Sequence, residues 1–333
     1  MVKVSRSLDF GNPGGCVLSL DYELLWGVYG SHTKETYGAN ILGVREAIPR
    51  LLELFERYKA GCSWATVGFL FYDNREELLA SFPSIKPTFQ NRRNCNYTFI
   101  DNIGADEKSD PYHFGFSLLR RIAETPQQEI ATHTYSHYYC LEEQCDQAAF
   151  AADMDAAVTA AKRLCVTLES IVYPRNQVCP TTFDICRERG ITVYRGAGRH
   201  WFDQPSARES ESLGRRISRL SYSYLPLGRS GVVDVNHHDG MTDVPASRFL
   251  RPYSRRFPKA TALQLEAIKR DMRRAAREGR IFHLWAHPHN FGVNVNENMD
   301  LWEAVLVEFA ALRDQYGWPS LTMAEAAKAS VQL

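Results

Sequence analysis

The sequence has no Cys-x-x-Cys pair, no net charge, no long apolar run and no Ser/Gly-rich stretch, and each absence removes a class of reading. Its eight cysteines, at 16, 62, 95, 140, 145, 165, 179 and 186, never fall at the spacing of a zinc knuckle or a redox motif. In a large chain without a secretory leader they read as reduced thiols, several of them in the core, and not as a disulfide framework. Lys+Arg and Asp+Glu both number 39, so the formal net charge is zero and gives no reason to expect nucleic acid or an anionic membrane as partner. Arg215-Arg216 and the run from Arg251 to Lys259 are local basic patches that read as solvated loop faces, with an anionic sugar carrier as their other use. Met1 to Phe10 lacks the apolar core of a signal peptide and no membrane span is evident, so a cytoplasmic location is expected. Nothing resembling a linker or a repeat divides the 333 residues, which are 44% hydrophobic and 12% aromatic. One elaborated domain over 14–325 is therefore expected, after an N-terminal extension over 1–13.

What is present alternates between strand and helix patterns. Gly15 to Leu20 reads as a buried strand, and Asn40 to Lys59 carries Ile41, Val44, Ile48, Leu51, Leu52 and Phe55 at helical spacing, with Gly61 as a stop. Ala65 to Phe71 is apolar nearly throughout, as a strand buried on both faces should be. Residues 73–126 are irregular and polar apart from a helix expected over Phe114–Ala123, and this excursion is expected near the rim of a site. Further strands are expected at Glu129–Thr132, Ser170–Arg175, Ile191–Tyr194, Gly231–Val235 and before His287. Helices are expected at Glu142–Val166, Thr181–Glu188, Ala260–Glu278 and Asp300–Arg313. No pattern emerges between Arg195 and Ser230. The economical architecture is an α/β barrel.

Several strand-like segments finish on ionisable residues. The first delivers Asp21 and Glu23, the third ends in His133-Thr-Tyr-Ser-His137, the fourth in Pro174-Arg175, and the last in His287-Pro-His289. In barrels of alternating strands and helices the carboxyl ends of the strands carry the site. Two histidines four residues apart can face one divalent ion, which also needs a further ligand and an open position if it is to do chemistry. Carboxylates at i and i+2 share one face of an extended segment, so one can bind the metal while the other handles a proton. Taken singly, each of these residues is more often structural than catalytic; the ordered set is what points to a site.

That order resembles the polysaccharide deacetylase family, the NodB-homology domain of carbohydrate esterase family four. Within it the chain looks most like the branch associated with O-antigen and other surface polysaccharides of bacteria. Ser19 to Gly27 resembles the first family motif, His133 to His137 the second, Tyr173 to Val178 a variant third, and Leu284 to His287 the last. The resemblance implies a distorted barrel of about seven parallel strands and a single catalytic domain with loop elaborations. It also implies roles: Asp21 as base, His287 as general acid, Arg175 as the arginine that orients Asp21, and His133 and His137 as metal ligands. Tyr22 stands where the family usually has its metal-binding aspartate, so Glu23 becomes the carboxylate ligand. Asp234 and Asp243 are the candidates for the fourth motif. Trp26, Tyr194 and Trp201 are candidates for stacking on sugar rings, against the commoner use of large aromatics in cores.

The implied activity is metal-dependent hydrolysis of an N-acetyl or N-formyl group on an amino sugar, presented by a nucleotide-linked or lipid-linked precursor. Two imidazoles suit zinc, while an oxygen-bearing site also accepts cobalt, nickel or manganese. A catalytically silent sugar-binding or scaffold protein on the same barrel is the alternative, motivated by the altered first and third motifs. Glu23 turned away from both histidines would favour it.

Overall fold

The computed structural model describes residues 14–331 apart from 144, 199–203, 205, 206, 208–211 and 225–230. The chain runs β1 (Cys16–Tyr22), α1 (Lys34–Tyr58), β2 (Cys62–Thr66), α2 (Arg75–Ala80), α3 (Phe116–Glu124), β3 (Gln128–Thr132), α4 (Gln147–Ala161), β4 (Ser170–Ile171), α5 (Phe183–Arg187) and β5 (Val193–Tyr194). It continues through α6 (Leu213–Tyr224), β6 (Asn236–His238), β7 (Met241–Asp243), β8 (Arg248–Phe249), α7 (Pro258–Glu278), β9 (Phe282–Ala286), α8 (Val295–Tyr316), β10 (Ser320–Leu321) and α9 (Met323–Val331). The sheet order is β6-β7-β5-β4-β3-β2-β1-β9-β8, with β10 also on β1, and every pairing except β6 with β7 is parallel.

A single segment closes the sheet into a barrel. The N–H groups of Thr242, Val244 and Ala246 donate to the carbonyls of Thr192, Tyr194 and Gly196 beside β5; those of Ser247 and Leu250 then donate to His283 and Trp285 of β9. The stretch 241–250 therefore serves β5 with its first half and β9 with its second, so β7 and β8 act as one bent stave between them.

Side-chain alternation sorts the strands into two cores. On β1, Leu18, Leu20 and Tyr22 face the helices, whereas Val17 belongs to an inner cluster with Ala65, Val172, Val193, Val244 and Ile281. Met323, Ala326 and Ala327 of α9 join that inner cluster and fill one end of the barrel, so the packed unit runs past residue 325. Toward the other end the inner positions turn polar: Ser19, Asp21, Arg195 and His283 are all buried. Burial on both faces explains why β1 is apolar from Cys16 to Leu20 apart from Ser19.

Several expected boundaries move for physical reasons. The apolar run from Ala65 to Phe71 ends its strand at Thr66 and continues as a 3₁₀ turn over Gly68–Phe71, since Gly68 and Phe69 donate to the loop carbonyls of Thr134 and Tyr135. A buried turn is as apolar as a buried strand. The helix expected from Glu142 starts at Gln147, because Asp146 caps it by accepting from the N–H groups of Ala148 and Ala149. Where Gly231–Val235 was expected as a strand there is a single bridge between Val233 and Ile281, followed by the β6–β7 hairpin turning at Asp239-Gly240, both with positive φ. The extension over 1–13 lies outside the described residues. Among the described residues no helix is long and apolar enough to cross a membrane.

Candidate metal and acid–base centre

β1 ends by presenting two carboxylates in different environments. Asp21 is the last inward-facing residue of the strand, and Arg195, directly after β5, grips it with Nη1 and Nη2 at 2.7 and 2.8 Å. Arg195 has no exposed surface. Its Nη1 also donates to Ser19 Oγ at 3.0 Å, Nη2 to Asn176 Oδ1 at 2.8 Å, and its guanidinium lies 4.3 Å over the Trp285 ring. Burial alone would raise the Asp21 pKa. The Arg195 charge, with smaller help from His133 and His287, outweighs it and holds the acid below its usual value.

Glu23 turns toward the histidines. Its Oε2 lies 3.1 Å from His137 Nε2 and 3.3 Å from His133 Nε2, and the ligand atoms of these three buried residues all lie within 4.8 Å of one another. Donors each about 2.1 Å from one ion at tetrahedral angles stand about 3.4 Å apart, so the spacing fits a metal site. His133 Nδ1–H donates to the Val172 carbonyl at 2.7 Å, which fixes the tautomer and leaves Nε2 as a lone pair for an ion. Burial would raise the Glu23 pKa, yet the charge of His287 and the bonds to His133 and His137 hold it well below the usual range; burial pushes His137 down to about 4. A carboxylate and two imidazoles form a donor set that suits a divalent cation.

The loop between the two histidines is a fold of its own and not the helical turn their spacing suggests. Thr134 and His137 both have φ of +60°. Asp153 of α4, fully buried, accepts from the Tyr135 N–H at 2.6 Å, the Ser136 N–H at 3.1 Å and the Ser136 hydroxyl. Tyr138 N–H donates to Thr134 Oγ1 at 2.7 Å. Gly27 leaves the space that Glu23 occupies: a Cβ there would fall 1.9 Å from the Glu23 carboxyl carbon.

His287, just past β9, completes the group. Its Nε2 is 3.6 Å from Asp21 Oδ2 and 3.7 Å from Glu23 Oε1. With 24% of its side chain exposed, it is the most open member of the group. The rings of Phe249, Trp285 and His289 pack around it. His289 is buried behind it, with Nδ1 lacking a hydrogen-bond partner, and burial pushes its pKa down to about 3. A cavity of about 550 Å³ opens over Asp21, Glu23, His137, Trp285 and His287.

Five of the sequence-derived residues, Asp21, Glu23, His133, His137 and His287, thus meet around one point. Arg175 does not reach Asp21. It lines the cavity but pairs with Glu142 at 2.7 Å and lies over the Tyr139 ring, because Arg175 and Asn176 sit in a left-handed turn at φ of +55° and +53° that hands Asn176, not Arg175, to Arg195. Trp26 has no exposed surface; it packs on Phe69 and donates its indole N–H to the His113 carbonyl. Tyr194 faces outward against Phe183. Trp201 lies outside the described residues. Asp234 forms an ion pair with Arg280, and Asp243 packs beside Gly196 with Oδ1 buried and unpartnered. Of the residues absent from the expectation, Arg195 directly follows β5 and Asn176 lies in the turn after β4, whereas Ser19 and His283 lie within β1 and β9. Arg195 follows the run Ile191–Tyr194 as Arg175 follows Pro174, and that position is the signal for it.

No protein-family model matches this sequence, and no curated protein matches it. Solved structures do. A candidate polysaccharide deacetylase from Mycobacterium smegmatis is similar over 96% of this chain and 92% of its own, with a TM-score of 0.61 at 13% identity. A second candidate polysaccharide deacetylase, from Pseudomonas aeruginosa, is similar over 97% and 92%, with a TM-score of 0.56 at 11% identity. Puue allantoinase is similar over 96% and 91%, with a TM-score of 0.57 at 11% identity. At such identities the likeness is one of backbone architecture, and it agrees with the closure through β7 and β8: the chain has the distorted (β/α)7 barrel fold found in deacetylases of the NodB-homology type.

Proposed function

We propose that this protein is a metal-dependent hydrolase that removes an N-acetyl or N-formyl group from an amino sugar during assembly of a bacterial surface polysaccharide of the O-antigen or lipopolysaccharide kind. The observation that carries the reading is the convergence of Glu23, His133 and His137 beside an arginine-held Asp21. Glu23, His133 and His137 would hold one divalent ion, zinc being the best match to two imidazoles and a carboxylate. When bound, that ion would supply Lewis acidity toward the amide carbonyl and lower the pKa of a water. Asp21, kept ionised by Arg195, would take the proton from the attacking water. His287, near both carboxylates and open to the cavity, would return a proton to the departing amine nitrogen. Glu23 pointing at both histidines speaks against a silent binding protein.

The candidate substrates are nucleotide-linked or lipid-linked amino sugars met in the cytoplasm. The test is elemental analysis of the purified protein followed by mass spectrometry of N-acetylated and N-formylated sugar nucleotides and glycan fragments incubated with it. A mass loss of one acyl group, dependent on the ion and abolished in Asp21→Asn, is expected. Stoichiometric metal with no turnover across the set would leave the deacylase reading without support.

A further inference from the structure

The inner face of the barrel also carries a histidine that the proposed chemistry does not use. His283, on β9, has no exposed surface. Its Nδ1 is 3.1 Å from the Val244 carbonyl, and its Nε2 is 2.8 Å from Ser19 Oγ. Ser19 Oγ in turn stands 3.0 Å from Arg195 Nη1, and the other contacts of that guanidinium go to Asp21 and Asn176. A single buried chain of hydrogen bonds thus runs from Val244, on the bent stave that closes the barrel, through β9 and β1 to the arginine that grips Asp21.

Only one placement of protons satisfies that chain. A carbonyl can only accept, so His283 Nδ1 carries a hydrogen. A guanidinium can only donate, so the Ser19 oxygen accepts from Arg195. The one hydroxyl proton of Ser19 is then left to His283 Nε2, which must offer a lone pair, so the imidazole is neutral. Burial and the Arg195 charge push the His283 pKa down to about 3, in agreement. An imidazolium would instead set a donor against the Ser19 hydroxyl and leave its proton buried without an acceptor, which costs more than one hydrogen bond contributes.

We propose that His283 is a positioning residue for Asp21: as the Nδ1–H tautomer it takes the Ser19 proton, which turns the Ser19 oxygen toward Arg195 and fixes the guanidinium fork on the carboxylate. That Asp21 acts as a base rests on the deacylase reading; the tautomer and the order of donors do not. Without the Nε2 lone pair the hydroxyl proton has no fixed direction, and it competes with Arg195 for the same space.

Nuclear magnetic resonance of the histidine ring nitrogens in the purified protein tests the arrangement with no turnover. The His283 signals are assigned by their loss in His283→Gln. A protonated Nδ1 and an unprotonated Nε2, unchanged from about pH 5 to about pH 9, are expected. Protonation at Nε2 anywhere in that range would overturn the proposal, and this measurement on the wild type stands even where a variant does not fold.

His283→Phe removes the acceptor. It should speed exchange of the Arg195 guanidinium protons and lower kcat roughly fivefold to tenfold with KM little changed. His283→Gln, whose amide oxygen can take the Ser19 proton, should restore most of both. Ser19→Ala combined with His283→Phe replaces both buried partners by apolar groups, so stability should recover relative to His283→Phe while kcat does not, because Arg195 still lacks the Ser19 oxygen. Recovery of kcat in step with stability, or guanidinium exchange indifferent to His283→Phe, would reduce His283 to a structural residue. Absence of turnover in the wild type would count against the deacylase reading alone, since ring protonation and guanidinium exchange are read without substrate.

Discussion

Arg195 holds both oxygens of Asp21 from the far side of the barrel, 174 residues along the chain, with neither side chain open to solvent. Both groups pay a desolvation cost, so the pair is no simple source of stability; its value is geometric, because it fixes the carboxylate in one orientation and keeps it charged. Ser19, Asn176 and the Trp285 ring fix Arg195 in turn. Removing Arg195 would leave Asp21 buried and unpaired, which typically costs 3–5 kcal/mol.

Arg195→Ala should therefore destabilise the protein by about 3–5 kcal/mol in denaturant unfolding. Arg175→Ala, which removes a partner of Glu142 and leaves Asp21 untouched, should cost about 1–2 kcal/mol. Arg195→Lys keeps the charge but not the fork, so it should fold, retain metal and lose turnover. Equal effects of the Arg175 and Arg195 substitutions on activity would mean that the Asp21 carboxylate is not held as described.

Much of this centre is legible in the sequence, and the exceptions share a cause. Asp21, His133 and His287 stand out because strands buried on both faces give continuous apolar runs, and the first polar residue after such a run marks the open end of the barrel. Arg195 obeys the same rule, but β5 is only two residues long and the chain beyond it has no periodicity, so Arg195 reads as the start of a loop. Arg175 misleads because sequence does not report the left-handed backbone that turns it away from Asp21 after Pro174. The bent stave of β7 and β8 is illegible for a further reason: its partners are Thr192 and His283, and nothing local specifies pairing over such distances.

Glu23 should prove a metal ligand and Gly27 its guarantor. Glu23→Ala is expected to lower metal affinity at least tenfold, measured by competition with a chelating dye. Gly27→Ala should lower it as well without touching a ligand, because the added Cβ would occupy the space of the Glu23 carboxyl. Unchanged affinity in Glu23→Ala would return the carboxylate position to Asp21 or to water.

Asp243 should shape the pH dependence of stability. Burial raises its pKa to about 7, against a smaller opposing effect of the Gly196 N–H, while the unfolded chain has the ordinary value of about 3.9. The folded state therefore holds the proton more tightly than the unfolded state. This contribution to stability is fully present below about pH 4 and is lost as the pH rises through about 7. Asp243→Asn removes the titration. Unfolding free energies of wild type and variant measured from pH 4 to 8 should diverge in the variant's favour as the pH rises; parallel curves would show that the carboxyl is not buried as described.

The division of labour between Asp21 and His287 predicts a substrate-dependent rescue. They come from opposite ends of the sequence, yet His287 Nε2 lies 3.6 Å from Asp21 Oδ2, so both can serve one reacting group. Asp21→Asn should retain metal and lose about 10² to 10⁴ in rate on any acyl substrate, because an amide cannot accept the proton of the attacking water. His287→Ala should lose a similar factor on an N-acetylated sugar, whose amine leaves poorly without a proton. An activated acetate ester needs no such help, since its leaving group departs as a stable anion. The ester should accordingly restore His287→Ala far more than Asp21→Asn, read as the ratio of kcat/KM on the two substrates. Equal losses of both variants on both substrates would rule out the acid and base roles even if the protein removes acyl groups.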